Sequence, residues 1–243
     1  MKLSINIDHL ATLRNARGGN VPDPVEGALI AEAAGAAGIV CHLREDRRHI
    51  RDNDVKRLRE RIATRLDLEM AATEEIIAIA KRIKPDLVTL VPEKRQELTT
   101  EGGLDVARLK KKLAGSLKKL HASSIPVSLF IDPVKLQVDA AKEIGAEMIE
   151  LHTGEYAEAK TEAHRRRLLI KINEIAVYAN GLGLIVNAGH GLDYGNILPV
   201  AGIKEIAEVS IGHAVIVRAV EIGLKAAVQD MKELIARGSA QTH

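Results

Sequence analysis

Aromatic side chains are almost missing from this sequence: its 243 residues include no tryptophan, one phenylalanine and three tyrosines. That scarcity argues against single-stranded nucleic-acid binding, in which bases stack on aromatic platforms. It also leaves the core to Ile, Leu, Val and Ala, which suits a parallel sheet buried on both faces. Cysteine is scarcer still. Cys41 has no partner for an intramolecular disulfide, and inside the apolar run 38–42 it reads as a small buried residue rather than a reactive thiol. Charge of one sign is lacking too: 35 Lys and Arg against 33 Asp and Glu leave a formal net charge of +2, too little for a field that would draw in a polyanion. No apolar run reaches the ~18 residues of a membrane span, and residues 1–6 do not read as a signal peptide. The expectation is a cytoplasmic protein with no nucleic-acid or membrane partner. No Pro/Gly/Ser-rich or highly charged linker divides the chain, so residues 1–243 read as a single domain, near the ~250 residues typical of one α/β barrel.

What the sequence does have is a repeated rhythm. Short β-branched runs fall near 3–7, 38–42, 66–70, 86–91, 126–131, 147–152, 184–188 and 208–212. Amphipathic stretches follow most of them, over 24–36, 52–61, 73–83, 105–121, 134–144, 157–180 and 214–236. Asp23-Pro24 supplies an N-cap and a proline at the first helical position, and Thr73 precedes a Glu-rich first turn. Gly35, Gly145 and Gly181 sit where helices should stop. Eight such repeats predict an α/β fold, a single (β/α)8 TIM barrel with extra helices. The rival, a doubly wound open sheet, needs a G-x-G-x-x-G turn after the first strand, where this chain has Asp8-His9-Leu10. Connections 10–22 and 92–104 are long for a bare barrel and read as lids or substrate clamps.

The strand-like runs end in polar clusters, and five of the nine histidines lie there: His9, His42, His152, His190 and His213. A structural core has little reason to gather imidazoles at one end of successive strands, whereas a barrel active site does. After the seventh and eighth runs, Asn187-Ala-Gly189-His190-Gly191 and Gly212-His213 suggest a phosphate site made from glycine N–H groups and a helix start. The cluster from His42 to His49 offers an imidazole for proton transfer and, in Arg44, a guanidinium for an anion. Glu45, Arg47 and Arg48 read as a solvated loop. Glu69, at the end of Leu66-Asp67-Leu68-Glu69, is a carboxylate placed for general acid/base work, with Asp67 as its structural neighbour. No lysine lies in a predicted strand, which argues against a strand-borne Schiff base. No helix-based or CxxC-type spacing supports a metal, so none is expected.

Several stretches resemble one family closely: Asn6-Ile-Asp8-His9 through Arg17, His42-Leu-Arg44 through His49, Leu68-Glu69-Met70, Val91-Pro-Glu-Lys through Thr99, and Val186-Asn-Ala-Gly-His190-Gly191. Together they resemble the pyridoxine 5′-phosphate synthases, from about residue 3 to residue 236. The resemblance implies a barrel with extra helices, a homo-octamer, and condensation of two small phosphorylated substrates without a cofactor. It implies His42 and Glu69 as an acid/base pair and His190 as a proton donor. It assigns Asp8, His9, Arg44, His49 and Thr99 to one substrate, and Asn6, Arg17, Gly191, Gly212 and His213 to the other. A phosphosugar isomerase or epimerase would share the barrel, the phosphate site and the carboxylates. A barrel serving only as an oligomeric scaffold is the reading from another class.

Overall fold

The computed structural model describes residues 1–93 and 102–240. Thr99 and most of the 92–104 connection lie outside them. Eight parallel strands close into a barrel in chain order: β1 (Lys2–Asn6), β2 (Gly38–His42), β3 (Arg65–Met70), β4 (Leu87–Leu90), β5 (Val127–Ile131), β6 (Met148–His152), β7 (Ile185–Gly189) and β8 (Ile206–Ile211). β1 pairs with β8 to complete the ring, Leu3 opposite Val209 and Ile5 opposite Ile211. The expected barrel is therefore observed, each predicted strand lying within two residues of its place.

The helices are α1 (Asp8–Arg17), α2 (Pro24–Ala33), α3 (Asp52–Arg61), α4 (Glu74–Ile83), α5 (Val106–His121), α6 (Lys135–Glu143), α7 (Gly154–Glu158), α8 (Glu162–Gly181), α9 (Ile197–Ala201), α10 (His213–Ile222) and α11 (Leu224–Ala240). Asp23 caps α2 by accepting from the Val25 N–H at 3.0 Å, as Asp23-Pro24 foretold. Gly35 and Gly145 take left-handed φ just beyond α2 and α6. After α8 that task falls to Gly183, and Gly181 is still helical. The stretch 157–180, long enough for a broken or additional helix, falls into α7 and α8, and the single helix expected over 214–236 is broken at Gly223 with φ 83°. None of the helices among the described residues is long and apolar enough to cross a membrane.

One expectation changes. The stretch read as a long connection from residue 10 is largely α1. Its buried face consists only of Ala11 and Arg14, so no apolar periodicity announces it. Arg14 forks onto Asp54 at 2.7 and 2.8 Å and donates to the His49 carbonyl at 3.1 Å. Asn15 donates to the carbonyls of Arg48 and His49. α1 is thus a strut under the loop after β2.

The core also differs from a sheet apolar on both faces. Leu3, Ile5, Ile39, Leu66, Leu68, Leu129, Ile149, Val186 and Val209 are buried against the helices, each such burial worth about 1.5–3 kcal/mol. The alternate positions point to the barrel axis and are mostly polar, Val40 and Phe130 being apolar exceptions. Ser4 Oγ donates to Glu208 Oε1 at 2.6 Å, Arg65 pairs with Glu208, and Thr89 Oγ1 donates to Asp67 at 2.8–2.9 Å. These side chains tolerate the interior because they find partners across it, whereas Ser128 Oγ on β5 is buried without one. Asp67 is accordingly the structural member of the Asp67/Glu69 pair. Lys2 does fall in β1, but as its exposed first residue, at the end opposite the histidines.

Candidate active site

A cavity of about 610 Å³ opens at the C-terminal ends of the strands. It is lined by Asn6, Asp8, His9, His42, Arg44, His49, Glu69, His190, Gly191, Gly212 and His213, which among the described residues is every expected site residue except Arg17. Arg17 ends α1 and is exposed to solvent. Glu150, Phe130, Arg48, Asp193 and Ser210 join the lining. Arg48 thus reaches the cavity while keeping about 30% of its side chain exposed, and Arg47 pairs with Asp52 and Glu75 at the surface. Glu150 faces the axis from β6. The alternation of Glu150 with Ile149 and Leu151 was the available signal for it.

On the β1–β3 side, polar groups lock to one another. Asn6 Oδ1 accepts from the Asp8 N–H at 2.9 Å, and Asn6 Nδ2 donates to Asp8 at 3.0 Å and to Glu69 at 3.4 Å. Asp8 Oδ1 accepts from the His42 N–H at 2.9 Å and lies 3.9 Å from His49 Nδ1. His42 Nε2 sits 2.8 Å from Glu93 Oε1. Asp46 accepts from both Arg44 and Arg48, which holds its carboxyl well below the usual range despite the opposing effect of burial.

On the β5–β7 side the packing is aromatic. The His152 ring lies 5.2 Å from Phe130 and 5.1 Å from His190. His152 does not line the cavity; its Nδ1 is 3.0 Å from Asp132, which also accepts from the Gly103 N–H. His190 adopts φ 75°, a left-handed backbone that costs a residue with a Cβ about 1–2 kcal/mol. Thr153 Oγ1 holds that turn, shared between the Gly189 and His190 carbonyls at 2.8 and 2.7 Å.

The electrostatics make the site less charged than its formula. Burial, then Glu150, Asp8 and Asp67, push Glu69 well above the ordinary glutamate value. Burial, then Asp67 and Glu208, push Glu150 up to about 8. Glu150 can therefore hold a proton at neutral pH, and Glu69 is pushed in the same direction. Burial, then neighbouring His152, lowers His190 to about 4. His9 is lowered by burial and by His213, whose ring is 5.0 Å away. Burial also lowers His49, with Asp8 opposing. Protonated carboxyls beside neutral imidazoles suit general acid/base chemistry. Arg44, Arg48 and the start of α10 behind Gly212 offer sites for anions. Asp8, His42 and His49 bring one ligand atom each to within 4.8 Å of one another and could hold a borderline metal ion. The Asp8 and His49 groups already bond the N–H groups of His42 and Ile50.

Comparison with known proteins bears on the chemistry. Residues 3–237 match the family described as "Pyridoxal phosphate biosynthesis protein PdxJ". The "Pyridoxine 5′-phosphate synthase" of Pelodictyon phaeoclathratiforme is 58% identical over 235 residues, covering 97% of this chain and 100% of the relative. That of Chlorobium phaeobacteroides is 60% identical over the same coverage. Among solved structures, KGPDC from Streptococcus mutans superposes with a TM-score of 0.66 at 13% identity, covering 97% of each chain. Thiamine phosphate pyrophosphorylase from Pyrococcus furiosus gives 0.62 at 15%, covering 98% of this chain and 96% of its own. At such identities these two show the barrel fold alone.

Proposed function

The chain belongs to the pyridoxine 5′-phosphate synthase family, and from that premise we propose which residues carry each part of the reaction. The enzyme joins 3-amino-2-oxopropyl phosphate to 1-deoxy-D-xylulose 5-phosphate, giving pyridoxine 5′-phosphate, phosphate and water in vitamin B6 biosynthesis. His42 and Glu69 act as general acid/base groups and His190 as a proton donor. Asp8, His9, Arg44, His49 and Thr99 hold the deoxyxylulose phosphate. Asn6, Arg17, Gly191, Gly212 and His213 hold the amino-ketone phosphate. The observation that carries this reading is convergence: among the described residues, all of these but Arg17 line one cavity.

The chemistry follows from the proton states. Amine attack on the ketone, dehydration, phosphate elimination and an aldol-type closure each move protons, and no step needs a redox or organic cofactor. Burial and acidic neighbours favour the protonated form of Glu69, which can protonate a departing hydroxyl. The resulting carboxylate can then take a proton in a later step. His190 is neutral before substrate arrives. A phosphate anion beside Gly191 favours its charged form and so loads it for donation.

The direct test incubates the protein with both phosphates and follows pyridoxine phosphate fluorescence. Product is expected only when both are present; turnover of a single sugar phosphate would instead identify an isomerase or epimerase. We further read the chain as one catalytic domain and a cytoplasmic homo-octamer. Exposed apolar side chains on α6, α8 and α10 (Leu136, Ile170, Val177, Val217 and Val220) support burial in an assembly. Light scattering should report the mass of eight chains, and a monomer would contradict it.

A further inference from the structure

Glu93 follows β4 after Val91 and Pro92, on the stem of the connection to α5. Its side chain is 5% exposed. The carboxylate accepts three hydrogen bonds: from His42 Nε2 at 2.8 Å, from the Glu45 N–H at 3.0 Å and from the Ala71 N–H at 3.2 Å. Those donors lie past β2 and β3 or at their ends, so one carboxylate ties three strand ends together. Burial raises its pKa. The His42 bond and charge, the Glu45 N–H and Arg44 more than offset that and keep Glu93 below the ordinary glutamate value.

An ionised carboxylate has only acceptors. The hydrogen between the two groups therefore sits on His42 Nε2. The other ring nitrogen, Nδ1, has no hydrogen-bond partner among the described residues, and the residue lines the cavity. Among the described cavity-lining histidines, only His42 has a carboxylate within hydrogen-bonding distance. His49 uses its own Nδ1 to accept from the Ile50 N–H.

We propose that Glu93 is a positioning residue for the reaction, fixing His42 in the tautomer whose Nδ1 is the working base. Nδ1 takes one proton from the substrate, its lone pair forming the new N–H bond while the substrate keeps the electron pair of the broken bond. The resulting imidazolium carries both hydrogens, stabilised across Nε2 by Glu93, and Nδ1 later returns the proton. A carboxylate that holds an imidazole's orientation and stabilises its cation, without taking the proton itself, is an established device in hydrolases. This inference rests on reading His42 as an acid/base group.

The test uses the full-length enzyme with 15N-labelled imidazoles. In the wild type the His42 shifts should report a protonated Nε2 and a bare Nδ1; the opposite tautomer overturns the proposal and needs no variant. Kinetics supply the second arm. Glu93→Gln should lower kcat at least ~10-fold while leaving each KM within about threefold, since an orienting group acts on the chemical step rather than on binding. If Glu93 works through His42, the Glu93→Gln/His42→Asn double variant should be no slower than His42→Asn alone. Losses that multiply would make Glu93 an independent element and overturn the proposal. Loss in His42→Asn with full turnover in Glu93→Gln overturns the positioning role alone. Full turnover in His42→Asn instead overturns the assignment of His42 on which it rests.

Discussion

The two proton-transfer imidazoles occupy opposite corners of one cavity in contrasting surroundings. At the His42 corner the ring ends a regular strand and faces a buried carboxylate at 2.8 Å. At the His190 corner the backbone is left-handed, the neighbours are Phe130 and His152, and the ring is held neutral with a pKa of about 4. One corner is built to receive a proton and stabilise the cation. The other shuns positive charge until an anion arrives. Identical side chains acquire different tasks from what packs against them.

The largest effect should come from removing what underpins the first corner alone. The Arg14–Asp54 pair is buried, both side chains about 5% exposed, and it steadies the backbone of His49 and Arg51. Arg14→Leu leaves Asp54 uncompensated and should cost about 3–5 kcal/mol in urea denaturation. A loss below ~1 kcal/mol would mean that α1 is not the strut the contacts describe. Next comes the carboxyl on the β1–β3 side of the cavity. Glu69→Gln keeps the shape of the side chain but cannot donate and retake a proton, so kcat should fall at least ~100-fold with the fold intact. Unchanged turnover would revive the scaffold reading and remove the reason for comparing the corners.

How much of this was legible beforehand depended on the kind of signal. The barrel, its strand limits and the gathering of histidines were readable because strand period and strand-end chemistry are local. The polar axis was also written in the chain, in Ser4-Ile5-Asn6-Ile7 and Asp67-Leu68-Glu69, yet expecting an apolar interior hid it. The same alternation marks Glu150. α1 was not readable, because its buried face is an alanine and an arginine whose partner, Asp54, lies forty residues on. Glu93, in the connection 92–104, carried no assigned role in the sequence; only the fold brings it to His42.

The His190 corner can be disturbed by a single methyl group. A Cβ on Gly154 would lie 2.5 Å from His152 Nε2 and 3.3 Å from His190 Cδ2. His152 cannot swing away freely, because Asp132 holds its Nδ1. Gly154→Ala should therefore shift both rings by a few tenths of an ångström and lower kcat roughly 10-fold, less than the ~100-fold that a 1 Å misplacement can cost. Stability should fall by about 1–3 kcal/mol, as for other overpacked sites. Unaltered kcat would show that the placement of these rings is not critical and would weaken the contrast between corners.

The smallest signal tests the reason for that contrast. With its pKa lowered to about 4, His190 is mostly neutral at pH 5.5 in the free enzyme. A dianion bound near Gly191 stabilises the charged ring and raises that value. Between the two pKa values the complex then holds more protons than its parts, so binding must take up protons and must tighten as pH falls through the window. Sulfate is a suitable probe because it does not itself titrate there. Calorimetry at pH 5.5, in two buffers of different ionisation heat, should show a few tenths of a proton more uptake in the wild type than in His190→Asn. The difference cancels any contribution from His9, His49 and His213, which the variant retains. Equal uptake in both proteins would mean that the anion does not reach His190 and that its neutrality serves packing rather than proton delivery.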